Sequence, residues 1–265
     1  MSKKKRDIPQ FGQPIIETHC HLDYLEGELL ADTIAEAQAI GVERIVTIAV
    51  SPDNLAKVRE LTQNPLIWGT QGIHPHDAEQ FTDDTAKEIL AHSGDEKIVA
   101  IGEIGLDYYY DHSDRAVQKA VFERQLQLAV DLDLPIVVHT READDDTRAI
   151  LGNFSAHLKK KGVIHSFTSG LALAEYCLSE GFMLGFNGII TFNRADNVRE
   201  VLSATPMAQM VVETDAPYLT PVPYRGKPNA PKYLPFIVEK IAEVKSVSVD
   251  EVLVQSYSNS MQLFW

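Results

Sequence analysis

Two histidines separated by a single residue, His19 and His21, follow a short apolar run that begins at Pro14. In an extended strand, residues i and i+2 point to the same side, so both imidazoles can reach one metal ion. Neutral imidazole is a good ligand for transition-metal ions such as zinc. The intervening Cys20 would face the opposite way and fill space in the core. The pair alone indicates a metal site only weakly, because a histidine at a strand end is more often structural.

Four further residues of metal-binding types each follow an apolar, strand-like run, and they are Glu103, His139, His165 and Asp215. In a parallel barrel, the carboxyl ends of the strands meet at one rim, where the active sites of such barrels are built. Imidazoles and carboxylates gathered there without counter-charge would be costly, and divalent cations remove that cost. The joint pattern therefore predicts a metal site at this rim.

The number of ligands suggests two ions, which would be zinc, manganese or magnesium. The ligands would divide into His19, His21 and Asp215 for one ion, and His139 and His165 for the other. Glu103 has two carboxylate oxygens and can bridge the ions. Paired ions about 3.5–4 Å apart clamp the attacking and leaving oxygens of a displacement and acidify bound water. Asp215 is the natural group to orient that water and accept its proton, so Asp215 and Glu103 are the expected catalytic residues.

Short apolar runs alternate with longer amphipathic stretches along the whole chain. The apolar runs predict strands at 15–18, 44–49, 66–71, 98–103, 136–139, 163–165, 182–186 and 210–213. The amphipathic stretches predict helices at 28–40, 52–62, 85–92, 114–132, 143–161, 172–180, 195–203, 232–244 and 249–263. Eight strands that alternate with helices over about 250 residues are typical of a closed parallel (β/α)8 barrel, or TIM barrel. An open doubly wound sheet is the alternative, but no Gly-x-Gly-x-x-Gly loop follows the first strand, which weakens a dinucleotide-binding form of it.

Length and composition fit one α/β domain, with 265 residues of which 45% are hydrophobic and 23% charged. Residues 1–13 are expected to form a flexible N-terminal tail and residues 14–265 the barrel. No run of roughly 18 apolar residues is present, so no membrane span is expected. The basic N-terminal segment is not followed by an apolar stretch, so it is not expected to be a secretory signal. The two cysteines are too few for a disulfide scaffold, which favours a reducing cytoplasm.

The formal net charge of −14 limits how this chain could hold nucleic acid. Proteins that bind long duplexes electrostatically usually carry basic patches, and the sequence offers no wide basic surface. A nucleic-acid substrate would therefore be held over a few nucleotides, through metal ions.

Eight motifs in the chain resemble those of the TatD family of metal-dependent DNases. They are ETHCHLD at 17–23, GIHPH at 72–76, GEIGLD at 102–107, PIVVHTRE at 135–142, HSFTSG at 165–170, GIITF at 188–192, ETDAPYL at 213–219 and RGKPN at 225–229. Asn259 and Phe264 also fit the closing segment of that family. The resemblance implies an amidohydrolase-like barrel, a divalent-metal site formed by the same six residues, and hydrolysis of phosphodiester bonds in DNA. It also implies 3′-to-5′ exonuclease activity on short single-stranded ends or damaged DNA.

The sequence departs from the family pattern in three places. The first motif opens with Glu17 where aspartate is common. Pro228 and Ala230 stand where many relatives have arginine and glutamate, which removes one cation and one anion beside the expected site. About 13 residues also precede the first strand, which the family does not require. The change at Pro228 and Ala230 is expected to affect phosphate binding and substrate preference rather than metal binding.

Further residues are candidates for contacts with the substrate. His74 and His76 follow the third strand and could contact a phosphate or leaving group, although the turn at Pro75 could also need polar caps. Asp107 could orient a ligand or a water. Tyr108 begins a run of three tyrosines that could stack with unpaired bases or simply pack against the rim. The candidates for phosphate binding in the last loop are Arg225, Lys227 and Asn229.

Other functions remain open on the residues alone, because a fold does not fix an activity. The same barrel and metals could hydrolyse an amide, a lactone or an aminoacyl ester. A DNA-binding or metal-binding module without catalysis is a third option, which the intact ligand set disfavours. The phosphate-binding candidates favour the nuclease.

Overall fold

Eight strands form one parallel sheet in the computed structural model, which describes residues 6–265. They are β1 Ile15–Cys20, β2 Val42–Thr47, β3 Ile67–Gln71, β4 Ile98–Asp107, β5 Ile136–Arg141, β6 Gly162–Ile164, β7 Met183–Phe186 and β8 Met210–Val212. The sheet order follows the chain from β1 to β8. The ring closes where Cys20 forms a parallel bridge with Ala216 and the Asp215 N–H donates to the His19 carbonyl at 2.9 Å. The predicted (β/α)8 barrel is confirmed.

The helices alternate with the strands, and two of them follow β8 in succession. They are α1 Gly27–Ala39, α2 Leu55–Leu61, α3 Asp83–His92, α4 Arg115–Leu132, α5 Asp144–Phe154, α6 Leu171–Ser179, α7 Asp196–Ala204, α8 Leu234–Lys245 and α9 Val249–Phe264. The helix predicted at 143–161 is wrong at its C-terminal end, because α5 stops at Phe154. The next strand starts at Gly162, where φ is +143° and a Cβ would collide with the Ile136 carbonyl. A helix cannot continue into this backbone conformation, so the chain leaves the helix before Gly162.

β4 runs past its predicted end at Glu103 and continues to Asp107. Its pairing with β5 shifts register between Gly102 and Ile104, on either side of Glu103. Gly105, with φ +136°, lies so close to the His139 carbonyl that only a residue without Cβ fits. The longer strand therefore places Glu103 inside β4, next to the pairing of β4 with Val137 and Val138, and Asp107 at the end of β4, opposite Arg141 at the end of β5.

Apolar side chains fill the barrel below the rim. One buried cluster contains residues from several strands together with the end of α9: Val46, Ile48, Val99, Ala100, Val137, Val163, Met183, Val211, Leu263 and Phe264. A larger cluster lies between the sheet and the surrounding helices. Close packing on both faces of the sheet fixes the strands, and with them the residues at their carboxyl ends.

The predicted N-terminal tail lies partly outside the described residues, since residues 1–5 are not among them. Residues 6–13 have no regular secondary structure but contact the barrel. Ile8 and Phe11 pack against the core, Arg6 pairs with Glu239 on α8, and the Tyr224 hydroxyl donates to the Arg6 carbonyl at 2.8 Å. Among residues 6–265, no helix combines the length and apolar character needed to cross a bilayer.

Candidate metal centre

The six predicted metal ligands meet at the carboxyl rim of the barrel. On one side of Glu103 lie His19, His21 and Asp215. His19 Nε2 lies 3.4 Å from Glu103 Oε2 and 3.7 Å from Asp215 Oδ1. His21 Nε2 lies 3.4 Å from the same oxygen of Asp215. These side chains come from β1 and from the segment after β8, which the closure of the barrel makes neighbours.

Three histidines, which are His165, His139 and His74, lie around the other carboxylate oxygen of Glu103. Glu103 Oε1 is 2.8 Å from His165 Nε2, 3.2 Å from His139 Nδ1 and 3.4 Å from His74 Nε2. The two oxygens of Glu103 thus face two different groups of imidazoles. The His165 ring also stacks on the His19 ring, with centroids 3.9 Å apart, so the two groups adjoin.

Among residues 6–265, three groups of residues each have ligand atoms within 4.8 Å of one another. They are His19, His165 and Asp215; His19, His21 and Glu103; and His74, Glu103 and His139. His74, which the sequence indicated as a substrate contact, therefore lies where it could also bind metal. Sequence spacing gave no sign of this, because the side chain reaches Glu103 only through the turn at Pro75.

The buried ring nitrogens fit a bound cation. His19 Nδ1 and Nε2, His21 Nδ1 and His165 Nδ1 are buried and have no hydrogen-bond partner among residues 6–265. A buried polar atom without a partner costs about 1–3 kcal/mol. Imidazole nitrogen and carboxylate oxygen are the donors that zinc and similar divalent ions accept. The residues present therefore suit a divalent metal ion.

The protonation of the cluster follows from burial and mutual contact. Burial alone would raise the pKa of Glu103, but His165, His74 and His139 lower that pKa well below its usual range. Burial alone would lower the pKa of His165, yet the charge of Glu103 raises it well above its usual range. Burial lowers the pKa of His74 to about 4. Without metal, the cluster therefore holds an anionic carboxylate beside protonated His165.

Asp107 contacts two histidines at the rim. Its Oδ2 lies 3.0 Å from His139 Nε2 and 3.0 Å from His76 Nε2. These hydrogen bonds lower the pKa of Asp107 against the opposing effect of burial. Because His139 turns its other nitrogen toward Glu103, Asp107 is placed as are the carboxylates that fix metal-binding histidines elsewhere. Asp107 thus contacts two imidazoles at the rim, and its orienting role stays a prediction.

Two buried glutamates lie behind the ligands, and the sequence gave neither of them a role in the site. Glu17 Oε1 accepts from the backbone N–H groups of His19 and Thr214 at 3.2 and 2.9 Å. Glu213 Oε1 accepts from the Ser166 N–H at 2.6 Å and lies 3.6 Å from His165 Nδ1. Strand periodicity could have found Glu17, because residues 17, 19 and 21 alternate onto one side of β1.

Non-glycine residues in the left-handed region cluster at the rim. Glu142 has φ +52°, Ser166 has φ +46° and Asp215 has φ +58°. Such conformations cost about 1–3 kcal/mol each and persist where the surroundings fix them, often at functional sites. The hydrogen bonds of the Ser166 and Asp215 backbone N–H groups to Glu213 and His19 provide that fixation.

Of the remaining predicted contacts, Tyr108 and Arg225 interact with neighbours within the protein. The Tyr108 hydroxyl donates to Asp146 at 2.6 Å. The Arg225 guanidinium lies 3.9 Å from the centre of the Phe192 ring and donates to the Thr220 carbonyl. Lys227 is exposed in the same loop.

Asn229 is buried beneath the last loop. Its Nδ2 donates to the carbonyls of Thr214 and Tyr218 at 2.8 and 2.6 Å. This amide therefore fixes the loop that carries Asp215, a role that the sequence pattern did not indicate.

A closed (β/α)8 barrel whose rim gathers buried imidazoles and carboxylates defines a metal-dependent hydrolase of the TIM-barrel class. Within that class, the chain belongs to the TatD family, because the family described as TatD related DNase matches residues 16–265. The resemblance inferred from the motifs is confirmed.

Individual relatives agree with this assignment. The chain is 36% identical over 252 residues to the uncharacterized metal-dependent hydrolase YabD of Bacillus subtilis, covering 94% of this chain and 98% of that protein. The crystal structure of YjjV, a TatD homolog from Escherichia coli, matches with a TM-score of 0.86 and 31% identity, covering 94% of this chain and 97% of that one. A β-aspartyl dipeptidase from Fervidobacterium islandicum shares only the fold, with a TM-score of 0.62 and 13% identity over 95% of this chain and 74% of that one.

Proposed function

We propose that this protein is a divalent-metal-dependent deoxyribonuclease that hydrolyses phosphodiester bonds at short single-stranded DNA ends in the 3′-to-5′ direction. The observation that carries the proposal is Glu103, whose two oxygens face separate groups of imidazoles as a ligand shared by two ions would. Paired ions suit the displacement of one oxygen by another at phosphorus. Membership of the family described as TatD related DNase supports the same substrate class.

Asp215 is the residue we assign to accept a proton from the attacking water. Its side chain is 14% exposed, against 4% for Glu103, so it is the more solvent-accessible of the two carboxylates. Burial opposes ionisation, but hydrogen bonding to His21 and the charge of His19 lower the pKa of Asp215, so the carboxylate is ionised at neutral pH. When bound, divalent cations would stabilise the developing negative charge and make water acidic enough to lose a proton near neutral pH.

His76 is the histidine best placed to meet the substrate. Its side chain is 29% exposed while its Nε2 is held 3.0 Å from Asp107. An imidazole that donates Nε2–H to a carboxylate can, in its doubly protonated form, donate from Nδ1 to a phosphate oxygen or a leaving group. His74, by contrast, is mostly buried, accepts from the His76 backbone N–H through Nδ1 at 3.1 Å and faces Glu103 with Nε2, so we assign it to positioning Glu103 rather than to the substrate.

The test is cleavage of end-labelled single-stranded DNA by protein loaded with zinc, manganese or magnesium. Duplex DNA, RNA, a lactone and a dipeptide are assayed in parallel, because the shared fold of a β-aspartyl dipeptidase leaves amide or ester hydrolysis as the alternative. Loss of nucleotides from the 3′ end is the expected result. Asp215→Asn should lower kcat by about 10²-fold to 10⁴-fold, and Glu103→Ala should abolish metal-dependent turnover.

The control is Glu123→Gln, which changes an exposed carboxylate on α4. DNA cleavage that survives both site substitutions, or ester or amide hydrolysis without DNA cleavage, would contradict the proposed function.

The cellular setting is part of the same proposal. Cys20 and Cys177 are both free and buried, which supports a reducing cytoplasm. There, removal of damaged or unpaired 3′ ends would serve DNA repair.

A further inference from the structure

Four tyrosines beside the metal centre present about half of their surface to solvent. The exposed fractions are 50% for Tyr24, 53% for Tyr109, 51% for Tyr110 and 53% for Tyr218. Tyrosine has an apolar ring and a polar tip, so packing against the protein favours burial of the ring with the hydroxyl in water. Exposed rings gathered at the mouth of a site therefore require an explanation.

The first pair lies next to His21 and Asp215. The Tyr24 ring stacks on the His21 ring with centroids 5.5 Å apart, and the Tyr218 ring meets Tyr24 edge-on at 6.3 Å. Tyr218 is fixed through its backbone, because its N–H donates to the Asp215 carbonyl at 2.9 Å and its carbonyl accepts from Asn229. These contacts restrain the pair, while about half of each residue is exposed to solvent.

The second pair lies next to Asp107 and His76. The Tyr109 and Tyr110 rings meet edge-on with centroids 4.8 Å apart. Asp107 Oδ1 accepts from both of their backbone N–H groups, at 3.0 and 2.9 Å. The Arg141 guanidinium lies 4.0 Å from the centre of one ring and 4.8 Å from the other, which restricts their motion further.

The two pairs lie at opposite ends of a line of contacts. From Tyr24 the contacts pass through His21, Asp215 and His19 to one oxygen of Glu103. From its other oxygen they pass through His139 and Asp107 to Tyr109 and Tyr110. Tyr24 and Tyr218 follow β1 and β8, whereas Tyr109 and Tyr110 follow β4, across the eight-stranded ring. A phosphate bound over Glu103 would therefore have an exposed aromatic pair on each side.

We propose that the pair Tyr24–Tyr218 and the pair Tyr109–Tyr110 stack with the nucleobases on either side of the phosphate that is cleaved. The inference rests on the proposed nuclease function and narrows its substrate to strands with unpaired bases on both sides of that bond. Every base presents a π face, so stacking is tolerant of sequence and contributes about 1–3 kcal/mol per base. Duplex bases are already stacked on their neighbours and cannot use these rings without unpairing.

The test compares a normal single-stranded oligonucleotide with one that carries abasic sites on both sides of the cleaved bond. Tyr218→Ala and Tyr110→Ala should each raise KM for the normal strand about fivefold to 100-fold, with kcat changed much less. Neither variant should change KM for the abasic strand. Phenylalanine at either position should restore the parent KM, because the ring and not the hydroxyl makes the contact.

The matched control is Tyr257→Ala, which removes a tyrosine from α9 whose hydroxyl bonds Glu43 away from the rim. Fluorescence anisotropy measures the binding of phosphorothioate-linked versions of both strands. This measurement separates the stacking inference from the proposed function. Base-dependent binding without cleavage would support stacking and reject the nuclease. Cleavage of the abasic strand with the parent KM, equal losses on both strands, or no binding of either strand would overturn the stacking proposal.

Discussion

Asp107 Oδ2 lies 3.0 Å from Nε2 of His139, on the side of the imidazole ring opposite to the nitrogen that faces Glu103. An ionised carboxylate in this position accepts a hydrogen bond from Nε2–H, so that Nδ1 of the neutral ring keeps a free lone pair for a metal. The carboxylate therefore selects the tautomer of His139 that can act as a ligand.

Asp107→Asn should weaken metal binding about 10-fold to 100-fold. The amide would donate to Nε2 and drive the proton of His139 onto Nδ1, the nitrogen required by the metal. Competition with a chromophoric chelator measures the change. Asp111→Asn, which alters an exposed ion pair with Arg115, is the matched control. An unchanged metal affinity in Asp107→Asn would mean that Nδ1 of His139 is not a ligand.

Metal affinity should fall as the pH falls. The pKa of His165 is raised well above its usual range and that of His139 is also raised, in both cases against the effect of burial, by neighbouring carboxylates. A metal binds only the unprotonated ring, so these protons must leave on binding. As the pH rises, the dissociation constant of the metal should fall about tenfold per pH unit for each proton released, until the pH exceeds the raised pKa values.

Titration calorimetry in buffers of different ionisation enthalpy counts the protons released. His92→Gln serves as the control, because His92 lies on α3 beside exposed Asp95. A dissociation constant that does not vary with pH, and a heat that does not depend on the buffer, would show that metal binding releases no proton from either imidazole.

The convergence of the six ligands was predictable because a parallel barrel brings every strand's carboxyl end to one rim. Knowing that His19, Glu103 and Asp215 follow strand-like runs was therefore enough to place them together. What the pattern could not supply was side-chain direction. The orientation of the His74 side chain toward Glu103 depends on the turn at Pro75. The position of Glu103 depends on a register shift between β4 and β5.

The last loop shows the same limit more sharply. The sequence indicated Arg225, Lys227 and Asn229 as contacts in this loop, but not which atoms each side chain would meet. Asn229 resembles a substrate contact in the sequence, whereas in the structure its amide holds two backbone carbonyls. Such contacts are set by the path of the loop backbone, which local spacing does not specify.

Asn229→Asp should destabilise the protein by about 2–4 kcal/mol. An ionised carboxylate cannot donate, so the carbonyls of Thr214 and Tyr218 would lose their partner and face a negative charge instead. Denaturant unfolding measures the loss, and Asn193→Asp at an exposed position is the control. A stable Asn229→Asp variant with a raised KM for DNA would instead support the substrate contact inferred from the sequence.

Glu17 should make the stability of the metal-free protein fall as the pH rises. Burial raises its folded-state pKa to about 8, whereas an unfolded glutamate titrates near about 4.3. Between these values the unfolded chain loses a proton that the folded protein keeps, which favours unfolding. Glu17→Gln removes this dependence, so its stability relative to the parent should rise by up to about 4 kcal/mol between about pH 5 and pH 8.

Chemical unfolding at both pH values measures that difference, with Glu123→Gln as the control for loss of an exposed carboxylate. Comparing the same variant at two pH values cancels the packing cost of the amide, which is the same at both. Parallel stability curves for Glu17→Gln and the parent would mean that Glu17 is ionised in the folded state at pH 5. The negative charge behind His19 would then be permanent, and it would favour a cation at the centre even before the ligands that contact it lose their protons.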